Sequence, residues 1–285
     1  MSTAHVVSGI SLPATDFTVS ELMAATVARA LRDDEMGFVG VGSGGRAFTL
    51  TFGIPVVAAR LAQHAQAPNF SLQLGSMVSP DLSAIPSAAS EASILNIRYD
   101  LYWPAAGRIQ ALDNMDLFTA GRGVDVGFVS AAQIDAYGNT NITCIGSHDR
   151  PWVRLVGCLA QPELMAFTRR AIVMLDLSPR VFVERVDFVT SAGYLTGGDA
   201  RKRAGIPGGG PELVVTDKAV FDFEPEVKRM RLRSVHPGVT VEEVLAHMGF
   251  RPAVPDPVPE TPPPSPEQVR LIREVIDPRR ILLGG

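Results

Sequence analysis

The polar residues of greatest chemical interest follow an apolar run in the middle of the chain, GVDVGFVSAAQIDAYGNTNIT at 123–143. A buried strand that runs into small residues and then into polar side chains such as Gln133 and Asn139 suits the carboxyl end of a parallel sheet, where ligands bind. The same residues also fit a strand, a Tyr-Gly-Asn turn and a second strand, in which the amides only satisfy turn backbone. Spacing alone leaves both interpretations open.

A second candidate is the glycine-rich turn formed by Gly42, Ser43, Gly44 and Gly45, which follows the apolar run Phe38-Val39-Gly40-Val41. Backbone N–H groups between a strand and a helix can bind an anion or an oxyanion. The signal is weak, because no Lys-Ser/Thr pair follows and no GxGxxG runs into a helix. The next helix is predicted to begin after Gly53, which leaves 46–52 as a short strand or turn.

The sequence lacks the residue patterns of several other common catalytic and metal sites. The chain has no GxSxG, HExxH or CxxC pattern, and its five histidines are scattered. Cys144 and Cys158 are predicted to be small buried hydrophobes rather than nucleophiles. No metal is expected, because the carboxylates do not cluster and no Cys/His set has ligand spacing.

Composition excludes further classes of partner. The net charge is −4 and basic residues form no long run, so a nucleic-acid partner is not expected. No window approaches 18 apolar residues and the N-terminus lacks signal-peptide features, which predicts a cytoplasmic protein without a membrane span. The basic triplet Arg201-Lys202-Arg203 precedes a glycine-rich loop at 205–210; a solvated face is the ordinary interpretation, and phosphate contact is the alternative.

Alternating strand and helix patterns predict an α/β domain with an open, mostly parallel or mixed sheet and flanking helices. A first helix is predicted after Thr18, with Glu21 at capping-box spacing. A strand at 70–74 ends at Gly75-Ser76-Met77, and a long loop should follow at 78–93. Another strand is predicted at 181–189.

The C-terminal region has a different composition. Residues 1–250 are predicted to form the main domain, 251–264 a proline-rich linker, and 265–285 a C-terminal helix that packs back on the domain. The apolar side chains of Val269, Ile272 and Ile276 should make that contact.

Four long motifs occur in a fixed order: the 123–143 stretch, RVFVERVDFVTSAGYL at 180–195, GGGPELVVTDKAVFDF at 208–223 and SVHPGVTVEEV at 234–244. Together with the closing LIREVIDPRR, they resemble the β subunit of class I CoA-transferases, especially that of the glutaconate CoA-transferase group. The sequence is also similar to the β subunits of steroid-ring-opening CoA hydrolases and methylglutaconyl-CoA decarboxylases.

The resemblance implies a CoA-transferase-like fold and a homologous α subunit, in a heterodimer or heterotetramer with the active site between the subunits. Coenzyme A would enter as an acyl-CoA substrate. In the usual reaction a glutamate of the β subunit attacks the thioester and carries the CoA as a glutamyl thioester.

This sequence departs from the family pattern at two places. Where the family has Glu-Ser-Gly or Glu-Asn-Gly, the chain has Gly75-Ser76-Met77, so no catalytic residue is assigned and Gly75 stands at the glutamate position. Where the family has a Gly-Gly-Ala step, the chain has Gly157-Cys158-Leu159-Ala160. The residues expected to shape the substrate and CoA pocket are Gly42, Ser43, Gly44, Gln73, Gly75, Ser76, Gln133, Asn139, Gly157 and Cys158.

Several functions remain open at this point. The chain could serve a transferase, or a hydrolase or carbon–carbon lyase whose acid belongs to the α subunit. It could also be a non-catalytic subunit that binds acyl-CoA. A last alternative is that a carboxylate of the 78–93 loop, Asp81 or Glu91, replaces the missing glutamate.

Overall fold

The computed structural model describes residues 16–40, 44–85, 103–109, 116 and 123–284. Gly42, Ser43 and Glu91 therefore lie outside the described residues. The strands are β1 Met36–Val39, β2 Ser71–Leu74, β3 Met77–Pro80, β4 Ala105–Arg108, β5 Val126–Val129, β6 Gln133–Ile134, β7 Thr140–Asn141, β8 Cys144–Ile145, β9 Val153–Arg154, β10 Arg170–Met174, β11 Pro211–Val215, β12 Ala219–Phe223 and β13 Met230–Val235.

Nine of these strands form one sheet in the order β13-β12-β11-β10-β5-β1-β2-β3-β4. The central five, from β11 to β2, are parallel, and an antiparallel pair closes each end. Strand β5 is buried at all four positions, as the apolar run at its start predicts. The open mixed sheet expected from the sequence is confirmed.

The helices are α1 Val19–Ala30, α2 Arg46–Phe48, α3 Ile54–His64, α4 Gln161–Phe167, α5 Ala200–Arg203, α6 Val241–Ala246 and α7 Pro266–Leu271, with π-helical turns at Thr49–Gly53 and Ile272–Ile276. The predicted capping box is present, since Thr18 and Glu21 exchange side-chain and backbone hydrogen bonds.

Alternate side chains of the strands enter two separate cores, one on each face of the sheet. Ile172 and Met174 pack with α1 and α3, whereas Ala171 and Val173 pack with Leu164 of α4. The parallel strands are therefore covered on both faces, which requires the nearly continuous apolar sequence that they have.

Three local predictions are wrong. Residues 46–52 are helical rather than a strand or turn, because α2, the π turn and α3 follow one another and bury Phe48, Leu50 and Phe52 in one core. The predicted strand at 181–189 has no ladder; Phe182 makes an isolated bridge to Ile134 and packs on Phe221 instead. The predicted loop at 78–93 begins inside β3.

The C-terminal segments contact the rest of the chain throughout. The proline-rich stretch runs beside β13, with bridges from Arg231 to Ala253 and from Val235 to Glu260. Farther along, Ile276 and Leu282 are buried in the core that contains α1 and α3. The division into a domain, a linker and a C-terminal helix stays a prediction.

His236 holds the proline-rich stretch against the sheet. Its ring is fully buried, with Nε2 2.8 Å from the backbone oxygen of Thr216 and Nδ1 3.0 Å from the hydroxyl of Thr261. A neutral ring satisfies both contacts, donating from Nε2 and accepting at Nδ1. Burial lowers the pKa of His236 to about 4.

This shift predicts acid sensitivity. The unfolded chain binds a proton at His236 near pH 6.5, whereas the folded chain does not, so stability is lost as pH falls from 6.5 towards 4. We expect His236 to account for roughly 2–3 kcal/mol of lost unfolding free energy between pH 7 and pH 4.5. Urea unfolding of the wild type and His236→Gln across this range measures the difference, and identical pH slopes would contradict the assignment.

Candidate functional site

The parallel strands end together at one edge of the sheet, here called the carboxyl edge. Gly40 follows β1, Gly75 follows β2, Ser130 follows β5, Asp176 lies just beyond β10, and Asp217 just beyond β11. Ligands of open α/β sheets bind in the crevice outside these ends. The residues that directly follow β1, β2 and β5 are small: Gly40, Gly75 and Ser130.

Gly75 and Ser76 form a two-residue turn between β2 and β3, whose last and first residues, Leu74 and Met77, are paired. Gly75 has a φ of 53°, and Ser76 is not left-handed. This is the pattern of a type II′ hairpin turn, which has glycine at its first central position. A glutamate here would carry backbone strain, because L side chains disfavour this conformation.

Gln73 holds this turn in place from within strand β2. It is fully buried in β2, and its Nε2 donates a 2.7 Å hydrogen bond to the backbone oxygen of Gly75. The backbone N–H of Gly75 points to the oxygen of Val39 at 3.4 Å, so the turn is also tied to the end of β1. Gln73, Gly75 and Ser76 therefore lie together at the carboxyl edge; that they shape a pocket stays a prediction.

Arg46 and Asp176 form an ion pair at this edge that the sequence analysis missed. The guanidinium of Arg46 contacts both carboxylate oxygens of Asp176 at 2.6–3.0 Å and donates to the Ser20 hydroxyl at 3.0 Å. It joins the beginning of α2 to the end of β10 and to α1. The only hint of this ion pair in the sequence was that Arg46 directly follows the glycine turn and that Asp176 directly follows a predicted buried strand.

Asp217 is a second carboxylate at this edge. It is buried and accepts a 2.6 Å hydrogen bond from the backbone of Leu177. Burial and the nearby charge of Asp176 raise its pKa. Asp176 and β2 are separated by β5 and β1, about 14 Å at the usual strand spacing, so neither carboxylate stands at Gly75.

The predicted pocket amides Gln133 and Asn139 make internal contacts. Asn139 donates to both oxygens of Asp135 and to the backbone of Leu195, and its oxygen accepts from Gly193 and Leu195. Gln133 donates to the Asp187 carboxylate and accepts from Asn141 and from the Asp187 backbone. Their side chains satisfy turn backbone and neighbouring side chains, so the structural interpretation explains these two positions.

Gly157 and Cys158 lie on a protruding loop between β9 and α4. Gly157 has a φ of 79° and open space where a side chain would be. Cys158 is exposed, so the prediction that it is buried is wrong, whereas Cys144 is buried as expected. The reason is that the neighbouring apolar side chains also point outwards; Trp152, Val156 and Leu159 are 84%, 84% and 87% exposed.

Asp81, the loop carboxylate considered as an alternative, does not lie beside Gly75. It follows β3, which runs antiparallel to β2, so it lies at the opposite end of that strand from Gly75. Its carboxylate accepts hydrogen bonds from the backbone and hydroxyl of Ser83. The pKa of Asp81 is lowered, and these two hydrogen bonds are the main cause.

In the part of the chain that the structure describes, no three histidine, cysteine, aspartate or glutamate side chains group closely enough to hold a metal ion. Among the same residues, no helix has the length and apolar character needed to cross a membrane.

The coenzyme A transferase family model matches residues 20–247, which include β1 to β13 and both faces of the sheet. The chain belongs to this family. The expectation drawn from the four motifs is confirmed, and with it the assignment to a family of enzymes.

Named members of the coenzyme A transferase family match over most of their length. The β subunit of glutaconate CoA-transferase from Acidaminococcus fermentans is 32% identical, over 93% of this chain and 94% of that protein. The crystal structure of that transferase superimposes with a TM-score of 0.80 over 95% of this chain and 99% of the matched chain, at 28% identity. The CoA-transferase-like fold is therefore confirmed.

Two other relatives differ in the activity that their names give. The β subunit of 3-oxoadipate CoA-transferase from Pseudomonas knackmussii is 30% identical, over 90% of this chain and 92% of that protein. The cholesterol ring-cleaving hydrolase IpdB subunit of Rhodococcus jostii is 28% identical, over 80% of this chain and 83% of that protein. The coenzyme A transferase family thus includes both transferase and hydrolase subunits.

The geometry of the turn after β2 predicts an unequal response of two glycines. Gly75→Ala places a side chain on a left-handed residue and should lower the unfolding free energy by about 1–2 kcal/mol. Gly107→Ala is the matched control in β4, because its side chain would meet nothing within 4 Å and its backbone is not left-handed. Urea midpoints compare the two variants, and equal changes would argue against a glycine-specific turn.

Proposed function

We propose that this chain is the β subunit of a heteromeric enzyme that acts on an acyl-CoA thioester and does not supply the nucleophile. The observation that carries the proposal is Gly75, which stands where the resemblance expects the family's glutamate and lies in a hairpin turn with a φ of 53°. Glycine offers no carboxylate, and Asp81, Asp176 and Asp217 lie elsewhere.

The loss has a large energetic consequence for a covalent mechanism. Removing a nucleophile raises the barrier by roughly 5 kcal/mol or more, which is several orders of magnitude in rate. A reaction that needs no glutamyl adduct on this chain avoids that cost. Hydrolysis, or carbon–carbon bond cleavage with the acid or base on the other subunit, meets this condition, and the ring-cleaving hydrolase subunit among the relatives supports it.

The proposed partner is a homologous α subunit, since three relatives are named as subunits of larger enzymes. The loop that carries Gly157 supports this proposal, because large exposed apolar side chains at its surface are typical of interaction sites. Covering Trp152, Val156 and Leu159 with the partner would also enclose the loop beside the carboxyl edge.

In this arrangement the chain shapes the thioester pocket. Gly75 and Ser76 would form one wall, held by Gln73, and Gly44, Gly157 and Cys158 would border the opening towards the partner. Gln133 and Asn139 would act at a distance, because their amides hold the neighbouring segments together. The missing nucleophile equally favours a second candidate, a non-catalytic subunit that binds acyl-CoA for an active partner.

The proposal is tested on the complex of this chain with its α subunit. With glutaryl-CoA and acetate we expect no CoA exchange and no CoA adduct on this chain, because position 75 has no carboxylate. Mass spectrometry after borohydride treatment measures the adduct, and the glutaconate CoA-transferase of A. fermentans is the positive control. A glutamyl-bound adduct on this chain would overturn the proposal, and full activity of the α subunit alone would favour the non-catalytic alternative.

A further inference from the structure

An open surface pocket of about 480 Å³ lies at the end of the sheet opposite the carboxyl edge. Its walls come from three segments: Tyr194 and Gly198, the beginning of α5 with the loop at 205–209, and Lys228 between β12 and β13. The loop leads directly into Pro211, the first residue of β11. We call this space the amino-edge pocket.

The amino-edge pocket is separate from the proposed thioester site. Strand β11 has five residues, so the pocket lies about 16 Å from the carboxyl edge along that strand. It lies even farther from Gly75, which follows a strand four places away in the sheet. A phosphate bound here would therefore lie well away from the proposed position of the reacting thioester.

Two of the three lysines of the whole chain line this pocket. Lys202 is exposed and Lys228 is partly buried, with its ammonium 5.3 Å from the centre of the Tyr194 ring. No ion pair to either side chain forms among the residues that the structure describes. The third lysine, Lys218, is buried and paired with Glu243 at 2.6 Å.

Arg201 adds a buried positive charge beneath these lysines. It is 5% exposed, and its guanidinium donates only to backbone oxygens, including those of Ala192, Gly193 and Gly208. It has no carboxylate partner in the described part of the chain, and burial lowers its pKa. A charge that is hydrogen-bonded but not neutralised leaves a positive potential, which is weakly screened where water is excluded.

The nearby acids do not cancel this potential. Asp199, the acidic residue of the lining, is paired with Arg203. Glu212, whose charge acts on Tyr194, is shared between Arg32 and Arg170. The Tyr194 phenol stays neutral at physiological pH, because burial raises its pKa to about 12. The pocket therefore keeps a net positive charge.

The form of the pocket indicates which anion it suits. The N–H groups of Gly205, Ile206, Gly208 and Gly209 all donate to protein oxygens, so the loop shapes the wall and recognition falls to the ammonium groups. Ammonium groups act as point charges and bind phosphate well, whereas planar carboxylates are matched best by an arginine fork. The volume exceeds a phosphate ion and leaves room for an attached organic group.

We propose that the amino-edge pocket binds the phosphate group of a phosphate monoester through Lys202 and Lys228. The phosphate could belong to the nucleotide end of a CoA molecule or to an unrelated small phosphate ester. Both share the same chemistry at the lysines, and the test separates them.

The test uses the full chain labelled with ¹³C-lysine, whose three side chains give three resolvable sets of signals. Sodium phosphate and adenosine 3′,5′-bisphosphate are titrated separately, with chloride added to keep the ionic strength constant. We expect saturable shifts at Lys202 and Lys228 and none at Lys218. Tighter binding of the bisphosphate by tenfold or more would indicate a nucleotide ligand, and similar affinities would indicate a simpler ester.

Lys202→Gln and Lys228→Gln should each weaken phosphate binding at least tenfold. In the ligand-free spectra of both variants, the signals of the remaining lysines should keep their wild-type positions, which shows that the fold is intact. Arg29→Gln is the matched control, since it removes a cation outside the pocket and should leave binding unchanged. Shifts that fail to saturate below about 10 mM, or that persist in both lysine variants, would overturn the proposal.

Discussion

The two-residue turn between β2 and β3 limits which side chains the carboxyl edge of the sheet can present. A hairpin this short is compatible with the right-handed twist of its strands only when the first turn residue has positive φ, and Gly75 supplies it. The same glycine removes the side chain that a glutamyl mechanism needs. In the proposed function the backbone geometry of this turn and the missing nucleophile have one cause, since a side chain at position 75 would have to adopt the left-handed conformation that the turn requires. Gln73 reinforces the constraint by binding the Gly75 carbonyl from within the core.

Arginines that are buried or half-buried lie at the two ends of the sheet, and their different partners separate structural from binding roles. Arg170, at the beginning of β10, is neutralised by Glu35 and Glu212, so it locks the strand ends and offers no charge to a ligand. Arg46 is likewise neutralised by Asp176. Arg201 is satisfied by carbonyl oxygens alone, which meets its hydrogen-bonding need but not its charge. Of these three arginines only Arg201 keeps a long-range field, beside two lysines without an ion-pair partner among the described residues.

The sequence predicted the features that depend on local pattern. The buried strand β5 and the capping box of α1 both follow from a few adjacent residues. Features that depend on tertiary partners were missed. The helix after Arg46 relies on burial of Phe48 and Phe52, and no neighbouring strand of the described chain completes a ladder at 181–189. Exposure of Cys158 could not be seen either, because its apolar neighbours resemble a core sequence.

We propose that the loop at 152–159 and the turn at Gly75 are parts of one site, which this chain alone leaves incomplete. A pocket that binds an acyl group must exclude water to strengthen its polar contacts, yet Gly157 faces open space and the loop's largest apolar side chains are exposed. The chain therefore provides backbone walls at the carboxyl edge but neither a cover nor, among its described residues, a carboxylate beside Gly75. A partner surface that supplied both the cover and the carboxylate would bury the apolar loop and place its acidic side chain beside Gly75 in the same contact. Association and assembly of the catalytic group would then be a single event, because the same contact provides the hydrophobic free energy and the chemistry.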